Sequence, residues 1–229
     1  MQERLTRELI ASAFSVKPTD EEGTMPFLSE EEIAASRAAS FANLGPTEDV
    51  WLFGYGSLMW KPDMDFVERR IARLLGWHRR FCLWQWRYRG SKSKPALMMA
   101  LDRGGSCVGI VFRIAAPDVS LKLAKVWQRE MTGKGYRPQW VRVQAEGRVL
   151  KAITFVADRK SYRYAGRIKE SLIAEHIAAA CGPTGPNAEY LLETLLHCQE
   201  IGIRDLMLSR LEVLVARKMI EQMANADDR

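Results

Sequence analysis

The chain is poor in the residues that build metal and redox centres. Its three histidines, His78, His176 and His197, are far apart, and its four cysteines, Cys82, Cys107, Cys181 and Cys198, form no C-x-x-C pair and have no histidine at metal-ligand spacing. No metal site or disulfide framework is expected, and the cysteines read as buried free thiols. No apolar run approaches the roughly 20 residues that span a bilayer, which excludes a helical membrane anchor. Glu3, Arg4, Arg7 and Glu8 interrupt the N-terminus, so no secretory signal is read there and a cytoplasmic location is expected. Neither G-K-[ST] nor G-x-G-x-x-G occurs, which removes the P-loop and dinucleotide fingerprints. There is no internal repeat or low-complexity tract, and 47% hydrophobic with 27% charged residues excludes a disordered chain.

What is present is unevenly charged. Residues 1–49 hold ten acids against four bases, a net −6, which leaves +12 on residues 50–229 of a chain whose total is +6. Between Trp60 and Lys94 ten Lys or Arg face three acids, a field suited to polyanions or to a small anionic substrate.

The same boundary divides the secondary structure. Leu5, Leu9, Ile10 and Phe14 mark a short amphipathic segment, and Ser29 with Glu32 forms a capping box before EEIAASRAASFA; residues 1–49 are therefore expected to be an acidic helical extension outside the core domain. From Val50 the segments VWLFGY, RIARLLGWHRRFCLW, PALMMAL, CVGIVFRI, WVRVQA and LKAITFVA read as strands, the last two joined by a hairpin turn at Glu146-Gly147-Arg148. One helix, VSLKLAKVWQREM, interrupts them. Three more follow after Ala157, in RIKESLIAEHIAAACG, NAEYLLETLLHCQEIGI and RDLMLSRLEVLVARKMIEQM. Strands followed by helices predict an α+β fold with a mixed or barrel-like sheet over residues 50–220 and a C-terminal tail over 221–229.

Two features carry chemistry. On the first of these helices Val119, Leu123, Val126, Trp127 and Glu130 recur every three or four residues, so Glu130 lies on the stripe that should face the core. Either a nearby arginine pairs with it, or burial and the helix C-terminus raise its pKa and make it a general base. The second is Gly54-Tyr55-Gly56-Ser57-Leu58, which interrupts an apolar strand. It reads either as a bulge or tight turn, or as a loop whose glycines adopt positive φ so that N–H groups converge on an anion beside the Ser57 hydroxyl.

Trp77, Trp84, Trp86 and Tyr88 interleave with Arg79, Arg80, Arg87 and Arg89, the pattern of a single-strand nucleic-acid platform. Alternation on a half-buried strand with a solvated basic face explains it better. His176, three residues after Ile173, reads as packed rather than catalytic.

Phe53-Gly54-Tyr55-Gly56-Ser57-Leu58, followed by Trp60 and Pro62, resembles the signature loop of the ChaC family of γ-glutamylcyclotransferases. Arg129-Glu130 with Gly135-Tyr136-Arg137 is similar to that family's catalytic segment, and Gly182-x-x-Gly185-x-Asn187-x-Glu189-Tyr190 with Gly202-Ile203-x-Asp205 to its C-terminal helical signature. One departure is Arg87-Tyr88-Arg89-Gly90, where many relatives carry His-Arg-Gly. The resemblance implies a γ-glutamylcyclotransferase-like mixed β-barrel with flanking helices and a C-terminal helical segment. It also implies a lyase that cleaves glutathione to 5-oxoproline and cysteinylglycine through attack of the γ-glutamyl α-amine on its own γ-carbonyl. Glu130 would be base and acid, Tyr55, Gly56, Ser57 and Leu58 would hold the substrate carboxylate, and Tyr136 or Tyr55 would add a hydroxyl. No metal, organic cofactor, nucleic acid or membrane enters such a reaction. A basic wall over Arg79 to Arg89 would attract the anionic substrate, and the competing reading is a basic nucleic-acid-binding or regulatory adaptor on a catalytically silent scaffold.

Overall fold

A computed structural model describes residues 3–15 and 23–227. Five strands close a barrel in the order β1-β3-β2-β4-β5: β1 (Val50–Gly54), β2 (Glu68–Gln85), β3 (Ala96–Ile114), β4 (Tyr136–Ala145) and β5 (Arg148–Ala157). β1 runs antiparallel to β3, with Val50 opposite Ile114 and Gly54 opposite Ile110, and parallel to β5 through Trp51 and Leu52, which closes the ring. β4 and β5 are the expected hairpin: Ala145 pairs with Arg148, and Glu146 and Gly147 both have positive φ, 49° and 75°. That is the two-residue turn whose twist suits antiparallel strands. PALMMAL and CVGIVFRI, read as two strands, are one. Gly104 and Gly105, with φ of 105° and 63°, bend β3 without ending it.

The chain forms two compact units. One contains Pro26–Arg80 and Met99–Tyr164; the other contains Met1–Met25, Phe81–Met98 and Ala165–Arg229. In the first, α2 (Glu30–Phe41) opens on the Ser29–Glu32 capping box and α3 covers Val119–Met131, as the heptad-like spacing requires. Val119, Leu123, Val126, Trp127 and Met131 are buried against Val50, Leu52, Ile114, Ile153 and Phe155 of the barrel. α2 does not stand outside this core. Ile33 is 2% exposed within the same cluster, Phe41 lies 5.2 Å from the Trp127 ring, and Trp140 Nε1–H donates to the Ser40 carbonyl over 2.9 Å. Trp127 is fully buried between Phe155 of the barrel and Phe41 of α2.

The second unit holds α1 (Arg7–Ala13), α4 (Glu170–Ala179), a two-residue ribbon pair β6 (Cys181–Gly182) and β7 (Gly185–Pro186), α5 (Asn187–Glu200) and α6 (Leu206–Asp227). Asp205 Oδ1 caps α6 by accepting from the N–H groups of Met207 and Leu208. α6 continues through the expected tail to Asp227, because the stretch after Met219 contains no helix breaker. Asn187 is fully buried and accepts from the Leu97 N–H over 2.9 Å rather than capping α5. All four cysteines are buried free thiols. His176 packs edge-on to Trp84 at 4.7 Å. β2 ends at Gln85, so Trp86 and Tyr88 do not continue its alternation; Tyr88 has φ of 64°. Among the described residues no helix is long and apolar enough to cross a membrane.

Candidate active site

Every sequence-predicted site residue falls in the unit that carries α2 and α3. The loop after β1 exists because of two glycines. A Cβ on Gly54 would meet the Leu58 Cβ at 3.1 Å, so glycine lets the turn fold back on the strand end. A Cβ on Gly109, across the ladder in β3, would meet the Gly54 carbonyl oxygen at 2.3 Å. The expected positive φ is not used: Gly56 has φ of −132°. Close approach, rather than left-handed backbone, explains the glycine at 54.

Ser57–Met59 then form one turn of 3₁₀ helix, with Met59 N–H donating to the Gly56 carbonyl and Lys61 N–H to the Ser57 carbonyl, both over 2.8 Å. The N–H groups of Ser57 and Leu58 precede the first bond of that turn, the position at which a helical turn has no internal acceptors. The Leu58 side chain is 5% exposed and joins the core cluster, so only its backbone can serve a ligand. Arg79, 3% exposed, holds the loop from behind: its Nε–H donates to the Tyr55 carbonyl over 2.5 Å and its Nη2 to the Val108 carbonyl. The basic wall expected over Arg79 to Arg89 is therefore corrected. Arg79 is internal, Arg80 pairs with Asp102 at 3.5 Å, and Arg89 pairs with Glu189 at 2.8 Å. A strand with alternating burial turned Arg79 inward, and charge counting could not show that.

Glu130 lies in the last turn of α3 with its side chain 14% exposed. Arg129 Nε is 3.3 Å from Glu130 Oε1. The same guanidinium donates to the Lys61 carbonyl over 2.7 Å, to Asp63 Oδ2 over 2.5 Å and to Ser57 Oγ. Burial pushes the Glu130 carboxyl up to about 6; Arg129 opposes the shift and Asp63 adds to it. The arginine neighbour and the raised pKa are both present: Arg129 lies beside Glu130, and the carboxyl is still a weak acid at about 6. Arg129 brings Glu130 and Ser57 into one cluster and adds Asp63, which no motif had marked.

The two tyrosines are tied to the barrel. Tyr55, 6% exposed, donates its hydroxyl to the Phe155 carbonyl over 2.9 Å, and Tyr136 donates to the Met99 carbonyl over 2.7 Å. The turn between Glu130 and Tyr136 is held by a segment the sequence reading passed over. Arg163, 3% exposed, donates to the Gly133 carbonyl over 2.7 Å, Ser161 Oγ–H to the Lys134 carbonyl over 2.6 Å, and the Asp158 N–H to the Gly135 carbonyl over 2.9 Å. Three successive carbonyls are engaged, so the ends of α3 and β4 are fixed relative to each other. The arrangement can bind an anion on the loop and move a proton at the Glu130 carboxylate.

The closed five-strand barrel with its covering helices has the fold of the γ-glutamyl cyclotransferases. A yeast γ-glutamyl cyclotransferase specific to glutathione superposes with a TM-score of 0.68 over 74% of this chain and 96% of its own, at 21% identity. The chain belongs to the ChaC-like protein family, whose profile matches residues 50–218. It is 38% identical to the glutathione-specific γ-glutamylcyclotransferase of Escherichia coli (strain K12), over 84% of each chain. It is 34% identical to glutathione-specific γ-glutamylcyclotransferase 1 of Homo sapiens, over 70% of this chain and 74% of that one.

Proposed function

We propose that the protein is a glutathione-specific γ-glutamylcyclotransferase, with residues 50–220 as its catalytic segment. The observation that carries the reading is the carboxyl of Glu130, nearly buried and raised to about 6, at the end of α3 and joined through Arg129 to the Ser57 hydroxyl. The family and the names of its relatives support the same chemistry.

The substrate α-carboxylate sits on the N–H groups of Gly56, Ser57 and Leu58 with the Ser57 hydroxyl, next to the positive charge of Arg129. Tyr55 and Tyr136 shape the barrel side of the pocket. The ionised Glu130 takes a proton from the α-ammonium, whose reference pKa is about 8. The freed nitrogen attacks the γ-carbonyl carbon; the new C–N bond closes a five-membered lactam while the amide C–N bond to cysteine breaks. Glu130 gives that proton to the departing nitrogen, and the second proton, which the ring nitrogen sheds as the lactam forms, passes through the same carboxylate to the new amine, so 5-oxoproline and cysteinylglycine leave, the latter as its ammonium, and the enzyme is unchanged. Water is not consumed, and because attack is intramolecular, holding the γ-glutamyl chain folded supplies an effective concentration that a bimolecular step lacks. We place the reaction in the cytoplasm, a compartment that keeps buried cysteines such as these reduced. Incubation of the purified protein with glutathione, γ-glutamyl amino acids and γ-glutamylamines, with chromatographic assay of 5-oxoproline, should show release from glutathione in preference to the others; no 5-oxoproline from any of them would refute the reading.

A further inference from the structure

An arginine guanidinium is a fork that can close on one carboxylate through two nitrogens. Arg129 is not turned that way toward Glu130. Its Nη1 donates to Asp63 Oδ2 over 2.5 Å and to the Lys61 carbonyl over 2.7 Å, and its Nη2 donates to Ser57 Oγ. Nε, 3.3 Å from Glu130 Oε1, is what remains for the neighbour on α3. One cation is thus shared between two carboxylates, and the loop after the 3₁₀ turn has the shorter contacts. Asp63 has φ of 55°, a left-handed conformation that aspartate and asparagine adopt more readily than most residues with a Cβ. Lys61, two residues earlier, presents its carbonyl to the same nitrogen, so the loop grips Nη1 at two points.

We propose that Asp63 is a positioning residue for the proton transfer: its carboxylate keeps Arg129 on the loop and so leaves Glu130 basic enough to take the substrate's proton. The inference rests on the cyclotransferase reading and deepens it, because a general base beside an arginine needs something to keep that cation from weakening it.

Charge balance decides the sign. Two charged groups act on the Glu130 carboxyl, Arg129 from its own helix and Asp63 from the loop; among the described residues of α2 and β4, which pack on the same helix, none adds to them. Arg129 favours the ionised carboxyl and Asp63 the protonated one. Removing the Asp63 charge deletes the second effect and frees the fork to close on Glu130, which strengthens the first. Both changes make Glu130 a weaker base, which takes a proton less readily from an ammonium of reference pKa about 8. The Arg129–Asp63 pair is partly exposed, and such pairs contribute little to stability. Asparagine also suits the left-handed backbone, so Asp63→Asn should fold as the native chain does.

The test follows the pH dependence of kcat for glutathione in the native protein, Asp63→Asn and Asp63→Glu. In Asp63→Asn the acid limb, near pH 6 in the native enzyme, should move down by about half a pH unit or more, and kcat at pH 8 should fall about tenfold with a smaller change in KM. Asp63→Glu keeps the charge and should keep the limb near its native place. A limb that stays put in Asp63→Asn, or moves equally in both variants, overturns the proposal. Titration of the Glu130 carboxyl carbon by nuclear magnetic resonance, assigned with Glu130→Gln, needs no substrate: its midpoint should be lower in Asp63→Asn than in the native protein. If no 5-oxoproline is released from any γ-glutamyl compound the cyclotransferase reading fails, yet this titration still decides what Asp63 does to Glu130, and equal midpoints overturn it.

Discussion

Two buried carboxylates in the barrel unit have opposite fates. Asp102, on β3, is 2% exposed. Burial pushes its carboxyl up, but hydrogen bonds from Arg159 Nε at 2.8 Å, the Tyr164 hydroxyl at 2.9 Å and the Arg103 N–H at 2.9 Å together outweigh it and hold the group below the ordinary aspartate value. Burial raises Glu130 to about 6: among the described residues the cation against it is Arg129, whose other donors are spent on Lys61, Asp63 and Ser57, and Asp63 adds to the rise. Burial pushes both carboxyls up, and the hydrogen bonds donated to Asp102 reverse the shift there while a single arginine does not reverse it at Glu130.

The contrast should break most sharply at Glu130. Glu130→Gln keeps the shape and removes the proposed base, and we expect at least a ~10³-fold loss of 5-oxoproline release with an unaltered circular dichroism spectrum. A variant retaining a tenth of native activity would return Glu130 to the structural class. At Asp102 the larger effect should be on stability: Asp102→Asn leaves Arg80 and Arg159 without their carboxylate and should cost about 3 kcal/mol in urea unfolding.

The sign at Glu130 is the reverse. Its folded value, about 6, lies above the ordinary 4.5, so the fold prefers the protonated form. That preference is fully present below pH 4.5 and is lost as pH rises through about 6; ionisation then costs about 2 kcal/mol. Glu130→Gln should accordingly be more stable than the native protein at pH 8, with the gap closing by pH 4.5, whereas a native protein more stable than the variant at pH 8 would show that Arg129 compensates the charge fully. The same ionisation should give kcat an acid limb near pH 6. The smallest effect is expected at a distance. Arg163→Ala, which releases the Gly133 carbonyl, should lower kcat about tenfold with little change in KM, and Arg163→Lys should recover part of it; equal losses in both parameters would make Arg163 a general support of the fold.

Much of this was legible in the chain. The α3 spacing gave its limits and put Glu130 on the wrong face for a charge, because helical periodicity is a local property. The capping box and the Glu146-Gly147 turn were legible for the same reason. What depended on the third dimension was not: Gly104-Gly105 looks like a strand end and proved a bend, since only the neighbouring strands show that pairing continues. Arg79 counted as surface charge until the barrel turned it toward the Tyr55 carbonyl. Asp63 and Arg163 lie 67 and 33 residues from Glu130 in sequence, and nothing local marks them.

The packing of α2 on Trp127 bears on where this protein begins as an autonomous object. The family match starts at Val50, yet the helix that carries Glu130 leans on Ile33 and Phe41, which precede it. A piece cut to the profile's boundaries would leave one indole face and its aliphatic neighbours open to water, a sticky seam along the helix that carries Glu130. Here the stretch that the family profile matches is shorter than the stretch that closes the core, and Ile33 and Phe41 belong to the machine rather than to its wrapping.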